Sequence, residues 1–190
     1  MKTVVIGGHA SKTGKTSVAT ALIRAFPDRA WTAMKISSHL HQTEALPHGI
    51  AIHEERSRDG GSDSSRYLAA GAARAFWIRV DRGKDDELIS GLAPVLATGD
   101  LFLIESNRIL RCLRPDLCIM VVNCRVQEFK ESARAALTQA DAVVAVNWEP
   151  SWAGWEGLPA GILPEMPLFP TQDPALLPPG LLDLVRAHLD

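Results

Sequence analysis

The sequence predicts an α/β fold built on a mostly parallel sheet. Short apolar runs alternate along the chain with stretches of helical periodicity. The runs are apolar at nearly every position rather than at every second one, the pattern of strands buried on both faces. A glycine-rich turn joins the first run to the first helix. In a sheet covered by helices on both sides, ligands bind beyond the carboxyl ends of the strands.

Val4 to Gly7 reads as the first strand. Gly14 to Phe26 follows as a helix, with Val18, Ala21, Leu22 and Ala25 recurring on one face, and Pro27-Asp28 ends it. Trp31 to Ile36 is the second strand. Ser37 to Gly61 shows no periodic pattern and is rich in His, Glu and Gly; a loop of that length is usually functional or mobile. Ser62 to Ala70 reads as a helix that Ser62 can cap and Gly71 can end. Ala75 to Val80 is a strand, Asp85 to Leu96 a helix and Leu101 to Glu105 a strand. Leu117 to Val122 is another strand, Gln127 to Gln139 a helix and Ala142 to Val146 a strand. An extension rich in Pro and Trp, residues 149–180, leads to a terminal helix over 181–189.

A chain of 190 residues can bury one sizeable core, so a single domain over 1–190 is expected. Its formal charge of -2 argues against a general nucleic-acid binder or a membrane-surface protein. No apolar stretch reaches the roughly 18 residues that span a bilayer. The apolar run at Met1–Gly7 is too short for a signal peptide, and a cytoplasmic protein is expected. Cys112, Cys118 and Cys124 lack the close pairs of a zinc site and read as structural.

The segment Gly7-Gly8-His9-Ala10-Ser11-Lys12-Thr13-Gly14-Lys15-Thr16-Ser17 lies between a strand and a helix, the context a P-loop requires. Small residues let successive backbone N–H groups converge on phosphate oxygens, and the helix N-terminus adds its positive dipole end. Lys15 is expected to reach the β- and γ-phosphates, and the Thr16 hydroxyl to bind magnesium. The strict spacing would put glycine at position 9, where His9 stands; with Gly8 as the first glycine the loop is one residue longer. Residues Gly8 to Ser17 are the expected binding segment for ATP or GTP.

That longer loop resembles the phosphate loop of dethiobiotin synthetases. The stretch Ser62-Asp63-Ser64-Ser65-Arg66-Tyr67-Leu68-Ala69-Ala70-Gly71-Ala72 resembles the molybdopterin-guanine dinucleotide biosynthesis protein MobB family. Both families belong to the SIMIBI class of P-loop NTPases, and the resemblance covers residues 1–147. It implies a three-layer fold with a mostly parallel sheet and frequent homodimers. It also implies that Lys35 turns toward substrate or phosphate, and that Asp63 and Glu105 join Thr16 around magnesium. These are hard oxygen donors of the kind magnesium takes. Lys15, Lys35 and Glu105 would then be the catalytic set.

Read without the resemblance, Lys35 is equally a solvated strand-end lysine, and Asp63 a favourable charge at a helix start. Glu105 directly follows four apolar residues, at the ligand edge of a parallel sheet. Ser106-Asn107 follow it where the MobB family usually carries Glu-Gly. Asn147 ends the last clear strand, where this class often places a base-reading asparagine, but the guanine signature Asn-Lys-x-Asp is absent, so ATP and GTP both stay open. Trp148, Trp152 and Trp155 can stack on a base or pack the tail onto the domain. His39, His41, His48 and His53 lie in the long loop; His39-x-His41 resembles a metal pair of nickel-handling relatives, against a plain polar loop.

Three functions follow. One is a MobB-like accessory NTPase in molybdenum-cofactor maturation, partnered by a molybdopterin-type cofactor or an enzyme that uses it. Another is an ATP-dependent ligase or kinase acting on an acidic small molecule, as in dethiobiotin synthetase. The third is a nucleotide-switched binding module whose loop 37–61 changes order with the γ-phosphate.

Overall fold

The computed structural model describes residues 1–38, 49–81, 83–150, 154–155, 163 and 166–190. The expectations for His39, His41, His48 and Trp152 lie outside the described residues. The strands are β1 (Lys2–Gly8), β2 (Thr32–Ser38), β3 (Ile50–Glu55), β4 (Arg74–Val80), β5 (Leu101–Glu105), β6 (Leu117–Asn123), β7 (Ala142–Val146) and β8 (Leu168–Thr171). The helices are α1 (Lys15–Ala25), α2 (Asp63–Ala70), α3 (Asp86–Leu96), α4 (Glu131–Leu137) and α5 (Pro179–Leu189).

The strands form one sheet in the order β3-β4-β2-β5-β1-β6-β7-β8. Every pairing is parallel except that of β3 with β4. Helices cover both faces because the strands are apolar on both. On one face Val4, Ile6, Ala33 and Leu103 pack against α1, α2 and α5 through Leu22, Tyr67 and Val185. On the other, Val5, Met34, Ile104 and Cys118 pack against α3 and α4 through Leu88, Leu92 and Leu137. This is the expected three-layer α/β architecture. No helix among the described residues is long and apolar enough to cross a membrane.

Two strands correct the sequence reading. β3 lies inside the segment read as patternless, 37–61. It is a six-residue antiparallel edge strand with three exposed side chains, so it lacks the continuous apolar run of its neighbours. β8 lies in the Pro/Trp-rich extension, paired only with β7. Pro170 has no N–H to donate, which an edge strand tolerates.

The anticipated ends of α2 are present. The Ser62 hydroxyl accepts from the Ser65 N–H at 3.0 Å, and the Ser65 hydroxyl accepts from the Ser62 N–H at 2.9 Å. Gly71 closes the helix with φ 112°. This fixed start sets Asp63 at the first position of the helix, facing the carboxyl ends of β2 and β5.

Candidate functional site

Seven strands of the sheet, all but β3, run parallel, so their carboxyl ends share one edge. β1 delivers the glycine-rich loop there, and α1 leaves it directly. Gly14 stands before α1 with φ 103°, a conformation open to glycine at little cost. Gly8 must be small for a second reason: a Cβ there would sit 2.8 Å from the Lys15 Cδ and 2.9 Å from the Thr13 Oγ1. The loop thus folds back over its own lysine. Lys15 Nζ donates to the Ala10 carbonyl at 2.7 Å and lies 3.4 Å from the Thr13 hydroxyl. Burial lowers the Lys15 pKa, opposed by the Glu105 charge. As at any helix start, the first N–H groups of α1 have no partner within the helix.

Below the loop, four elements meet at Glu105. Its carboxylate is 1% exposed. Oε2 accepts from the Thr16 hydroxyl of α1 at 2.7 Å and from the Tyr67 hydroxyl of α2 at 2.5 Å. Oε1 accepts from the Lys35 ammonium, its register partner on the neighbouring strand β2. Lys35 also pairs with Asp63 at 3.0 Å, and Arg66 approaches Asp63 at 3.9 Å. Burial would lower the Lys35 pKa, but the Glu105 and Asp63 carboxylates outweigh it and the net shift is upward. Burial would raise the Asp63 pKa, but the Lys35 charge and hydrogen bond hold it below the usual range. Burial and the adjacent Glu105 raise the Tyr67 phenol well above its ordinary value, so it stays a donor.

A cleft of about 810 Å³ opens over these groups. Gly8, Ala10, Ser11, Lys12, Thr13, Gly14, Lys15, Thr16 and Ser17 line it on the loop side, with Lys35, Asp63 and Glu105 beneath. Lys12 carries a positive φ of 58° and also faces the cleft.

Two expected residues lie elsewhere. The His9 ring does not line the cleft. It is fully buried behind the loop, with ring centroids 5.3 Å from Phe129 and 4.8 Å from Trp155, and its Nε2 is 3.1 Å from the Val126 carbonyl. The position tolerates histidine instead of glycine because the side chain points into the core. Asn147 does not line the cleft either; its amide donates to the Asn123 side chain at 3.1 Å, and its φ is 55°. Trp155 donates its indole N–H to the Val126 carbonyl at 2.8 Å, so it packs the extension onto the domain. Cys118 is a buried strand residue whose thiol burial pushes up to about 12.

Two site residues escaped the sequence reading. Tyr67 lies in the stretch that resembles the MobB family but carries no signal of a role, because its partner is 38 residues away. Asn107 was read only as a departure from Glu-Gly. Its side chain instead clamps the loop: Gly8 N–H donates to Oδ1 and Nδ2 donates to the Gly8 carbonyl, both at 2.8 Å. The pair extends the β1–β5 edge by one side-chain rung.

The backbone agrees with solved structures. The "apo" form of LpxK from Aquifex aeolicus, in complex with ATP, is similar with a TM-score of 0.52 at 18% identity, covering 90% of this chain and 53% of that one. The signal recognition particle 54 kDa protein from Aeropyrum pernix, in complex with GDP, gives 0.50 at 16% identity, covering 99% and 46%. This chain has the P-loop NTPase fold. It spans about half the length of those two proteins. A MobB homologue from Bacillus stearothermophilus gives a TM-score of 0.45 at 21% identity, covering 98% and 99%. No family model matches the chain, and no curated protein matches its sequence. Within this P-loop NTPase fold, the glycine-rich loop, Thr16 and Glu105 stand at the sheet edge where such folds receive ligands.

Proposed function

We propose that the chain acts as one domain that binds a magnesium–nucleoside triphosphate, ATP or GTP, and hydrolyses it slowly. The observation that carries this reading is the Thr16–Glu105 hydrogen bond beneath a glycine-rich loop whose backbone amides lead into α1. Such amides and a helix start are suited to phosphate oxygens. The donor chemistry at Thr16, Glu105 and Asp63 is all hard oxygen and fits magnesium. Among the described residues no three His, Cys, Asp or Glu side chains gather to hold a metal unaided. An ion entering together with phosphate oxygens would be held by Thr16, Asp63 and Glu105. The ion, when bound, neutralises charge on the β- and γ-oxygens.

The protein's own groups do the rest. The loop amides fix the phosphates. Lys15 exchanges the Ala10 carbonyl for phosphate oxygens and stabilises developing charge. Lys35, anchored between Glu105 and Asp63, adds a second positive charge at the same edge. Water attacks the γ-phosphorus, the bond to the β–γ bridging oxygen breaks, and nucleoside diphosphate and phosphate leave.

The resemblance of Ser62–Ala72 to the MobB family supports a role as an accessory factor in molybdenum-cofactor maturation, with a molybdopterin-type cofactor or its enzyme as partner and a homodimer as its form. Hydrolysis measured with and without such a cofactor tests this role: stimulation supports it, and an unchanged rate contradicts it. A second cleft sharing Lys35 and Asp63 favours another reading, transfer of the γ-phosphoryl group to an acceptor, as in an ATP-dependent kinase or ligase. Nucleoside diphosphate formed only with an acceptor present, with the γ-phosphoryl group recovered on that acceptor, would identify it.

A further inference from the structure

The connection between β6 and α4 ends against the glycine-rich loop. Phe129 places its ring 5.3 Å from the His9 ring and 5.4 Å from that of Trp155. That packing fixes the chain one residue before Lys130. The Lys130 N–H donates to the His9 carbonyl at 2.9 Å, and its ammonium donates to the Ser11 hydroxyl, also at 2.9 Å. One residue thus holds the loop at both 9 and 11. The Lys15 ammonium sits on the Ala10 carbonyl between them. Two ammonium groups therefore meet the loop at adjacent residues.

The charges lining the cleft divide unevenly. Three carboxylates line it, Asp63, Asp85 and Glu105, against seven lysines and arginines. Asp63 and Glu105 hold Lys35, and Asp63 also draws Arg66. Asp85 holds Arg108 and, at 2.7 Å, Arg111. Every carboxylate of the lining is thereby engaged. Among the described residues, Lys12, Lys15 and Lys130 have no carboxylate at ion-pair distance. Glu128 and Glu131 are close to Lys130 in sequence, yet neither lines the cleft.

The three lysines stand on the loop or against it, so the unmatched positive charge of the cleft gathers where the loop amides are. An ammonium that rests on a neutral hydroxyl exchanges one hydrogen bond for a stronger, charge-assisted one when it turns to an anion. A lysine held by two carboxylates, as Lys35 is, gains no such advantage. The crowding is also felt within the loop: burial lowers the Lys15 pKa, and the Lys130 charge acts in the same direction. A polyanion between the two lysines relieves that repulsion.

We propose that Lys130 is a phosphate-binding residue of the nucleotide site, contributed from outside the glycine-rich loop. It leaves the Ser11 hydroxyl for an oxygen of the phosphate chain, beside Lys15. Lys130 and Ser11 are 119 residues apart, so no spacing in the sequence announces the pair. The inference rests on the reading of the cleft as a nucleotide site.

The test is calorimetric titration of the full chain with the β,γ-imido analogues of ATP and GTP, with magnesium, at low and high salt. Lys130→Gln keeps a polar group for Ser11 and removes the charge, and Lys130→Arg keeps the charge. At low salt Lys130→Gln is expected to bind about tenfold more weakly than wild type, the scale of one charge-assisted hydrogen bond. The gap is expected to narrow at high salt, because screening weakens exposed ion pairs, and Lys130→Arg is expected to restore most of the loss. The unfolding midpoint of nucleotide-free Lys130→Gln is expected to match that of wild type; if it falls, the salt dependence and the arginine variant still decide. A loss that persists at high salt, or that Lys130→Arg fails to restore, overturns the proposal and assigns Lys130 to the shape of the loop. Equal binding by Lys130→Gln and a wild type that binds overturns this proposal alone. A wild type that binds neither analogue overturns the nucleotide reading and this proposal with it.

Discussion

Thr16 and Glu105 are 89 residues apart in sequence and meet at 2.7 Å, joining the first turn of α1 to the end of β5. Glu105 receives Tyr67 and Lys35 as well, so one carboxylate ties the phosphate loop to two other elements.

Removing that carboxylate charge has a large cost. Glu105→Gln leaves the Lys35 ammonium with Asp63 alone in a largely buried site. Breaking a buried ion pair from one side costs roughly 3–5 kcal/mol. Tyr67→Phe removes one hydrogen bond to a charged group and is expected to cost about 1.5–3 kcal/mol. Urea unfolding of both variants checks the order. Equal, near-zero losses would contradict the role of Glu105 as the hub.

Asn107→Ala removes both hydrogen bonds from the Gly8 backbone. The loss is expected to be about 1–3 kcal/mol in stability, from a lost pair near the start of the loop. Nucleotide affinity is expected to fall with it, because the loop amides lose their anchor. Calorimetry on this variant, beside a thermal unfolding curve, separates the two effects.

The His9 pKa lies below its ordinary value of 6.5, chiefly because burial disfavours the imidazolium, with the Lys15 charge acting in the same direction. The unfolded chain therefore takes up a proton where the folded chain does not. Stability from this group is full above about pH 6.5 and declines as pH falls through the window down to the folded pKa. The slope from one proton is at most about 1.4 kcal/mol per pH unit. Unfolding free energies between pH 5 and pH 8 are expected to show this decline, and His9→Phe is expected to flatten it.

Much of this was legible in the sequence because strands buried on both faces write themselves as continuous apolar runs. Val4–Gly7, Leu101–Glu105 and Leu117–Val122 all fall within observed strands. The capping signals of α2 were equally local, since Ser62, Ser65 and Gly71 act over a few residues. What the sequence hid was non-local or one-sided. The edge strand β3 buries too little to write a pattern, and β8 carries a proline. The partner of Tyr67 lies on β5 and that of Asn107 on β1, so no spacing in the chain announces either. His9 stands where the strict spacing puts glycine, and its identity gives no sign that the ring turns inward onto Phe129 and Trp155.

The most direct test is calorimetric titration with ATP and GTP, with and without magnesium, of the wild-type chain and of Lys15→Ala. Lys15 folds back under Gly8 and donates to the Ala10 carbonyl. The expected result is magnesium-dependent binding of at least one nucleotide by wild type, weakened about a hundredfold or more in Lys15→Ala. No binding to wild type at millimolar nucleotide, or equal binding by the variant, would contradict a phosphate site on this loop.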